Sequence, residues 1–111
     1  MSKNRCWRLR SRPVGEIADK DLELCVEDMP VASEAGQMLI KTLFVSIDPT
    51  QRIWMSDKAQ YMPPVALGDV MRAASVGVVV ASNDPAFAVG QHVVGMGGVA
   101  EHYIGVAGQN V

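Results

Sequence analysis

The chain has 111 residues and carries ten Lys or Arg against twelve Asp or Glu, a formal net charge of -2. That length suits one domain with a buried core, and that charge gives no electrostatic case for nucleic acid or an anionic membrane. No segment approaches the ~20 apolar residues of a membrane span, and Met1-Ser-Lys-Asn-Arg5 does not lead into the apolar core of a signal peptide.

The first element is basic, with Arg5, Arg8, Arg10 and Arg12, and is expected to be a solvated strand edge. Cys6 and Cys25 are too few for a disulfide framework. Strand-like residues flank each, so buried or half-buried thiols in a reducing cytoplasm are expected. Two Cys and two His without CxxC or HxxxH spacing give no metal site. Residues 22–27 alternate cleanly, with Leu22, Leu24 and Val26 on one face and Glu23 and Glu27 on the other, as in a half-exposed strand. Residues 38–47 form the longest strand candidate and are apolar on both parities, which predicts cover on both sides. The second cover is expected to come from outside this chain.

That strand meets Asp48-Pro49, with Gln51 three residues later. An Asp cap, a Pro at the first helical position and a Gln able to reach back predict a short helix over 49–55. Asp48 is expected to accept a bond from the Gln51 amide. Arg52 projects from the first turns, while Ile53, Trp54 and Met55 supply apolar contact. Further strands are expected at 75–82, 91–96 and 100–106, with a turn at 83–85. Frequent turns and β-branched runs predict a mainly-β sandwich or barrel. Residues 95–100, Gly-Met-Gly-Gly-Val-Ala, fit the form of a dinucleotide fingerprint. The fingerprint must open a helix in a βαβ unit, whereas Glu-His-Tyr-Ile-Gly-Val follows here and reads as a strand. A glycine-rich bend is the better reading.

Three blocks in order carry a family resemblance: Ser-Ile-Asp-Pro-Thr-Gln-Arg at 46–52, Pro-Pro-Val-Ala-Leu-Gly-Asp-Val-Met-Arg at 63–72, and Val-Val-Ala-Ser-Asn-Asp-Pro-Ala-Phe-Ala-Val-Gly at 79–90. From residue 4 to about 106 the chain resembles the N-terminal half of the zinc-free prostaglandin, alkenal and curcumin reductase branch of the medium-chain dehydrogenase/reductase superfamily. The resemblance implies a GroES-like, partly open β-barrel over residues 1–111, with the short helix following a strand that ends at Ile47. It also implies a Rossmann domain beyond this chain that binds NADPH. The full-length protein would then reduce the carbon–carbon double bond of an α,β-unsaturated ketone or aldehyde by metal-free hydride transfer, in the cytoplasm. It would dimerise through the absent domain, and the isolated domain would be inactive.

Zinc alcohol dehydrogenases of the superfamily place a metal-binding Cys where Asp48 stands, and Gly-His-Glu where Gly68-Asp-Val70 stands. A lone carboxylate in their place does not hold zinc. The resemblance places Asp48, Thr50, Tyr61 and Met96 on the substrate side. It puts no catalytic residue in this chain and assigns no cofactor-binding residue. Asp48 is a cap first. Thr50 stands where many relatives carry Tyr. Tyr61 is a substrate-contacting phenol or a rim aromatic on Pro63 and Pro64. Met96 lines an adaptable apolar pocket or fills the core. The Trp that relatives often carry after the 97–98 bend is missing, and His102 reads as a surface or half-buried His rather than an acid–base group. Two other readings stand beside this one: a free-standing GroES-like binding module without activity, and a quinone reductase of the same superfamily.

Overall fold

The computed structural model describes residues 3–60 and 62–110. Two antiparallel sheets carry the chain. Strands β1 (Lys3–Leu9) and β2 (Leu22–Asp28) form a ribbon, joined through a 3-10 turn at Asp19–Asp21. Strands β3 (Gln37–Val45), β4 (Ser75–Ser82), β5 (His92–Gly95) and β6 (His102–Val106) form a second sheet in the order β5-β4-β3-β6. One helix, α1 (Thr50–Trp54), follows β3, and a 3-10 turn at Ala107–Gln109 follows β6. The mainly-β expectation holds. The strand expected at 75–82 matches β4 at both ends, and β5 and β6 lie inside their expected spans. The longest strand stops at Val45 rather than Ile47: its pairing with β4 ends at Val45 opposite Ser75, with one last bond from the Ser46 N–H to the Ala74 carbonyl at 2.9 Å before the turn at Asp48-Pro49.

The basic segment keeps Arg5 and Arg10 exposed, as expected, but it is not a strand edge. Trp7 and Leu9 donate to the Val99 and Asp69 carbonyls at 2.9 and 3.0 Å. Met71 and Glu101 donate back to the Trp7 and Arg5 carbonyls at 2.8 and 2.9 Å. Strand β1 is therefore bonded on both sides. Its cations are partnered too: Arg5 with Glu101, Arg8 with Glu27 and Arg10 with Glu23. Arg12 donates to the Met55 and Val65 carbonyls at 2.9 and 3.1 Å.

Two core clusters result. Leu9, Trp54, Met55, Val65 and Met71 gather under the ribbon and α1. Met38, Ile40, Val79 and Val93 fill the second sheet. Ile40 reaches Gly77 on β4, where a Cβ would stand 2.6 Å from Ile40 Cγ2 and 2.7 Å from the Lys41 carbonyl. Glycine there lets the two strands close over that side chain. The alternation in β2 is as read, but its burial is not. Leu22 packs against the first cluster, whereas Leu24 and Val26 are exposed and Glu27 is half-buried against Arg8. The reading of β3 as apolar on both faces is matched by one covered face, Met38 and Ile40, and exposed Leu43 and Phe44. Both cysteines are free, Cys6 buried and Cys25 half-buried, as expected.

Candidate functional site

The turn from β3 into α1 is built by local side-chain bonds. Gln51 reaches back as expected, its Oε1 accepting the Asp48 N–H at 3.1 Å. Asp48 does not bond the Gln51 amide. Its Oδ1 accepts from the Thr50 N–H at 3.0 Å, and the Gln51 N–H goes to the Asp48 carbonyl at 3.2 Å. The reason is that Pro49 is already helical, at φ -62° and ψ -24°. The Asp side chain therefore sits one step too early for the third amide and closes an Asx-type turn instead. The helix is shorter than expected at both ends, because Pro49 and Met55 flank it rather than belong to it.

Two contacts fix this junction in the fold. The Gln51 Nε2 donates to the Ser46 carbonyl at 3.1 Å and to the Arg72 carbonyl at 3.4 Å. Arg52 donates to the Pro13 and Gly15 carbonyls at 3.0 to 3.2 Å, so its role is structural. Trp54 and Met55 are core residues, and Ile53 is exposed.

Beyond Arg72 lies a cleft of about 440 Å³, lined by Pro63, Pro64, Arg72, Met96, Gly97 and Gly98 among others. A second cleft, about 450 Å³, shares Met96 and Gly97 and reaches Tyr103 and Asn110. Gly97 permits this arrangement, since a Cβ there would stand 2.2 Å from the Tyr103 ring. The Tyr103 hydroxyl donates to Asn110 Oδ1 at 2.8 Å. Burial pushes its phenol above the ordinary value, against a smaller opposing bond with Ser75.

The residues assigned to the substrate side divide. Met96 is 46% exposed and lines both clefts, a wall rather than core filling. Asp48 and Thr50 border neither cleft and reach them only through Gln51 and Arg72. The half-buried Thr50 offers a hydroxyl with no hydrogen bond among the described residues, whereas the Asp48 carboxylate is engaged. Tyr61 lies outside the described residues. His102 is half-buried on β6, with a buried Nδ1 lacking a partner among the described residues. Burial lowers its pKa, and Glu101 opposes the shift. It lines neither cleft.

Arg72 was given no role by sequence reasoning. Its guanidinium stacks 5.3 Å from the Trp54 ring centroid and its Nη2 donates to the Pro63 carbonyl at 2.6 Å. Its Nη1 is buried without a hydrogen-bond partner among the described residues. The signal was a lone cation in an apolar run, Val70-Met71-Arg72-Ala73-Ala74. Among the described residues no three His, Cys, Asp or Glu side chains converge.

Residues 5–111 match the family described as the N-terminal domain of oxidoreductase. This chain is a member of that family. Its relatives place it in the curcumin and prostaglandin reductase branch of the medium-chain dehydrogenases/reductases. It is 39% identical over 102 residues to the NADPH-dependent curcumin reductase of Escherichia coli (strain K12), covering 92% of this chain and 29% of that protein. It is 32% identical over 104 residues to prostaglandin reductase 1 of Oryctolagus cuniculus, covering 94% of this chain and 28% of that one. The crystal structure of CurA from Vibrio vulnificus superposes with a TM-score of 0.91 at 34% identity, over 97% of this chain and 31% of CurA. Its complex with NADPH superposes at 0.87. The GroES-like fold is thereby shown. The oxidoreductase domain spans less than a third of the length of these relatives. No helix among its described residues is long and apolar enough to cross a membrane.

Proposed function

We propose that this chain is the substrate-side domain of an NADPH-dependent reductase acting on the carbon–carbon double bond of α,β-unsaturated ketones and aldehydes. The observation that carries the reading is the superposition on the NADPH complex of CurA at 34% identity over 96% of this chain. This domain does not fit the nucleotide by itself. Residues 95–100 run from a strand into a bend and a further strand, and α1 has only five residues. Nothing among the described residues cradles a pyrophosphate, and we assign NADPH to a second domain of the full-length protein. When bound there it supplies the hydride.

The part assigned to this domain is to shape and polarise the acceptor. Met96 and Gly97 give an adaptable apolar wall. Thr50 borders neither cleft in this chain alone, but its hydroxyl, without a hydrogen bond among the described residues, can donate to a substrate carbonyl held between the two domains, and Tyr61 adds a phenol. Asp48 holds Thr50 in place through its backbone amide. A carbonyl polarised by hydrogen bonds makes the β-carbon electrophilic without a Lewis acid. Asp48 and Gly68-Asp-Val70 supply neither the soft nor the imidazole ligands that would hold zinc. We further assign the full-length protein to the cytoplasm, as a homodimer formed through its nucleotide domain.

The test is NADPH oxidation by the full-length protein with enals, enones and quinones, before and after chelation. The expected result is turnover of enals and enones to the saturated carbonyl, unchanged by the chelator, and none by the 111-residue chain. Loss on chelation restored by zinc overturns the metal-free step, and turnover of quinones alone favours the quinone reductase reading. The exposed Leu43 and Phe44 favour one other reading, a free-standing GroES-like binding module. A native reading frame that stops after residue 111 would select it, and one that continues into a strand, a glycine-rich turn and a helix would exclude it.

A further inference from the structure

Strand pairing sets Cys6 on β1 directly opposite Cys25 on β2. The amides and carbonyls of Arg5, Trp7 and Leu9 that bond outside the ribbon point away from β2. Those of the alternate residues, Cys6 included, therefore point toward it, and Cys6 and Cys25 form a hydrogen-bonded cross-strand pair. Such pairs hold their Cα atoms about 5.5 Å apart, inside the ~4.4–6.8 Å that a disulfide spans. Opposed residues project to the same face, so the two thiols are neighbours. Their Cβ atoms, at about 5 Å in a flat ladder, need to close by roughly 1 Å to meet disulfide geometry. A bond formed under that constraint is readily reduced again.

The surroundings give the two thiols different roles. Cys6 is 2% exposed, too enclosed to meet an external reagent. Cys25 is half-buried, with Arg10 Nη2 at 3.4 Å from its Sγ and Glu23 Oε1 also at 3.4 Å. These two neighbours carry opposite charges, so it is access that makes Cys25 the first of the pair to meet a reagent. Burial raises the Cys6 thiol above its ordinary value, and the Glu27 carboxylate adds to the shift.

We propose that Cys6 and Cys25 are a reversible dithiol site, oxidised to a cross-strand disulfide by low-molecular-weight disulfides. Cys25 attacks first. Its Sγ loses a proton and bonds to one sulfur of the small disulfide, whose S–S bond breaks and whose displaced thiolate takes up a proton. Cys6 then loses its proton and attacks Cys25 Sγ, expelling the second small thiol with the second proton. The two cysteines lose two electrons in all, and the small disulfide gains them.

The experiment treats the reduced protein with excess glutathione disulfide. Free thiols are counted, the intact mass is measured, and an unreduced peptide map is recorded. The expected result is joint loss of both thiols, a mass lower by two hydrogens, and a linked peptide pair carrying Cys6 and Cys25. Dithiothreitol should restore both thiols. In Cys6→Ser the reaction should stop at a glutathionyl adduct on Cys25, and in Cys25→Ser the remaining thiol should survive. A lasting glutathionyl adduct on the unsubstituted protein, a disulfide between two protein molecules, or survival of both thiols would each overturn the proposal. These readouts come from the unsubstituted protein, so a variant that does not fold leaves the test intact.

Discussion

The carboxylate at position 48 and the hydroxyl at position 50 sit two residues apart and are used differently. Asp48 Oδ1 holds the Thr50 amide at 3.0 Å, so its first effect is on stability. Asp48→Ala should cost about 1 kcal/mol, the ordinary worth of a cap-type bond, seen as a lower urea midpoint. Asp48→Asn keeps the acceptor and should recover most of it. Thr50 is the reverse case, since its hydroxyl makes no hydrogen bond among the described residues. Thr50→Val is close in shape and should leave the midpoint unchanged. In the full-length protein it should lower kcat/KM for a small enone by about tenfold, the scale of one neutral hydrogen bond to the reacting carbonyl. An unchanged kcat/KM would remove Thr50 from the site.

At the scale of elements, the ribbon is held by charge as well as by its ladder. Arg8 grips Glu27 with two bonds of 2.7 Å and donates a third to the Gly68 carbonyl at 2.9 Å. The Arg8 bond holds the Glu27 carboxyl below its ordinary value, with burial opposing. A carboxylate with a lowered folded pKa stabilises the fold above its unfolded value of about 4.3, and the gain is lost as pH falls through the folded value. Glu27→Gln should therefore lower stability by about 1 kcal/mol at neutral pH, the upper range for a half-exposed bidentate pair. The difference from the unsubstituted protein should shrink below about pH 4, as urea midpoints across that window would show. In the bend between β5 and β6, Gly97→Ala would drive a Cβ into the Tyr103 ring and should cost about 1–3 kcal/mol, with loss of the Tyr103–Asn110 bond. These elements differed in how far they were legible. The span of β4 was readable because Val-rich alternation ends in Ser82-Asn-Asp-Pro85 turn chemistry. The helix start was readable from Asp-Pro-x-Gln, though the bond Asp48 makes depended on Pro49 being already helical. Arg5 and Arg10 are exposed as read, but the edge position of their strand was misread, because its second set of backbone partners, Val99, Asp69, Met71 and Glu101, lies far away in sequence. Met96 was readable as a pocket wall or as core filling, and the choice between them waited on the opposite wall, which comes from residues 63–72.

At the scale of the molecule, the question is what meets the apolar surface that this chain leaves open. Phe44 is 74% exposed and Ile47 80%. Phe44 shares a shallow apolar depression with Val45, Val76 and Val94, across β3, β4 and β5. The apolar residues on both parities of β3 announced a second cover, but a sequence pattern cannot name what supplies it. If the domain forms one wall of a larger reductase, that surface meets protein in the full-length chain. Phe44→Ser then has two different outcomes in two contexts. In the 111-residue chain it replaces a solvent-exposed side chain and should change stability by no more than about 0.5 kcal/mol. In the full-length protein the same change removes a buried aromatic and should cost about 1.5–3 kcal/mol. Urea denaturation of both pairs, followed by the ribbon's Trp7 and the helix's Trp54, measures the two costs side by side. Equal small costs would mean that Phe44 faces water in both, and that no neighbouring domain rests on this side of the sheet.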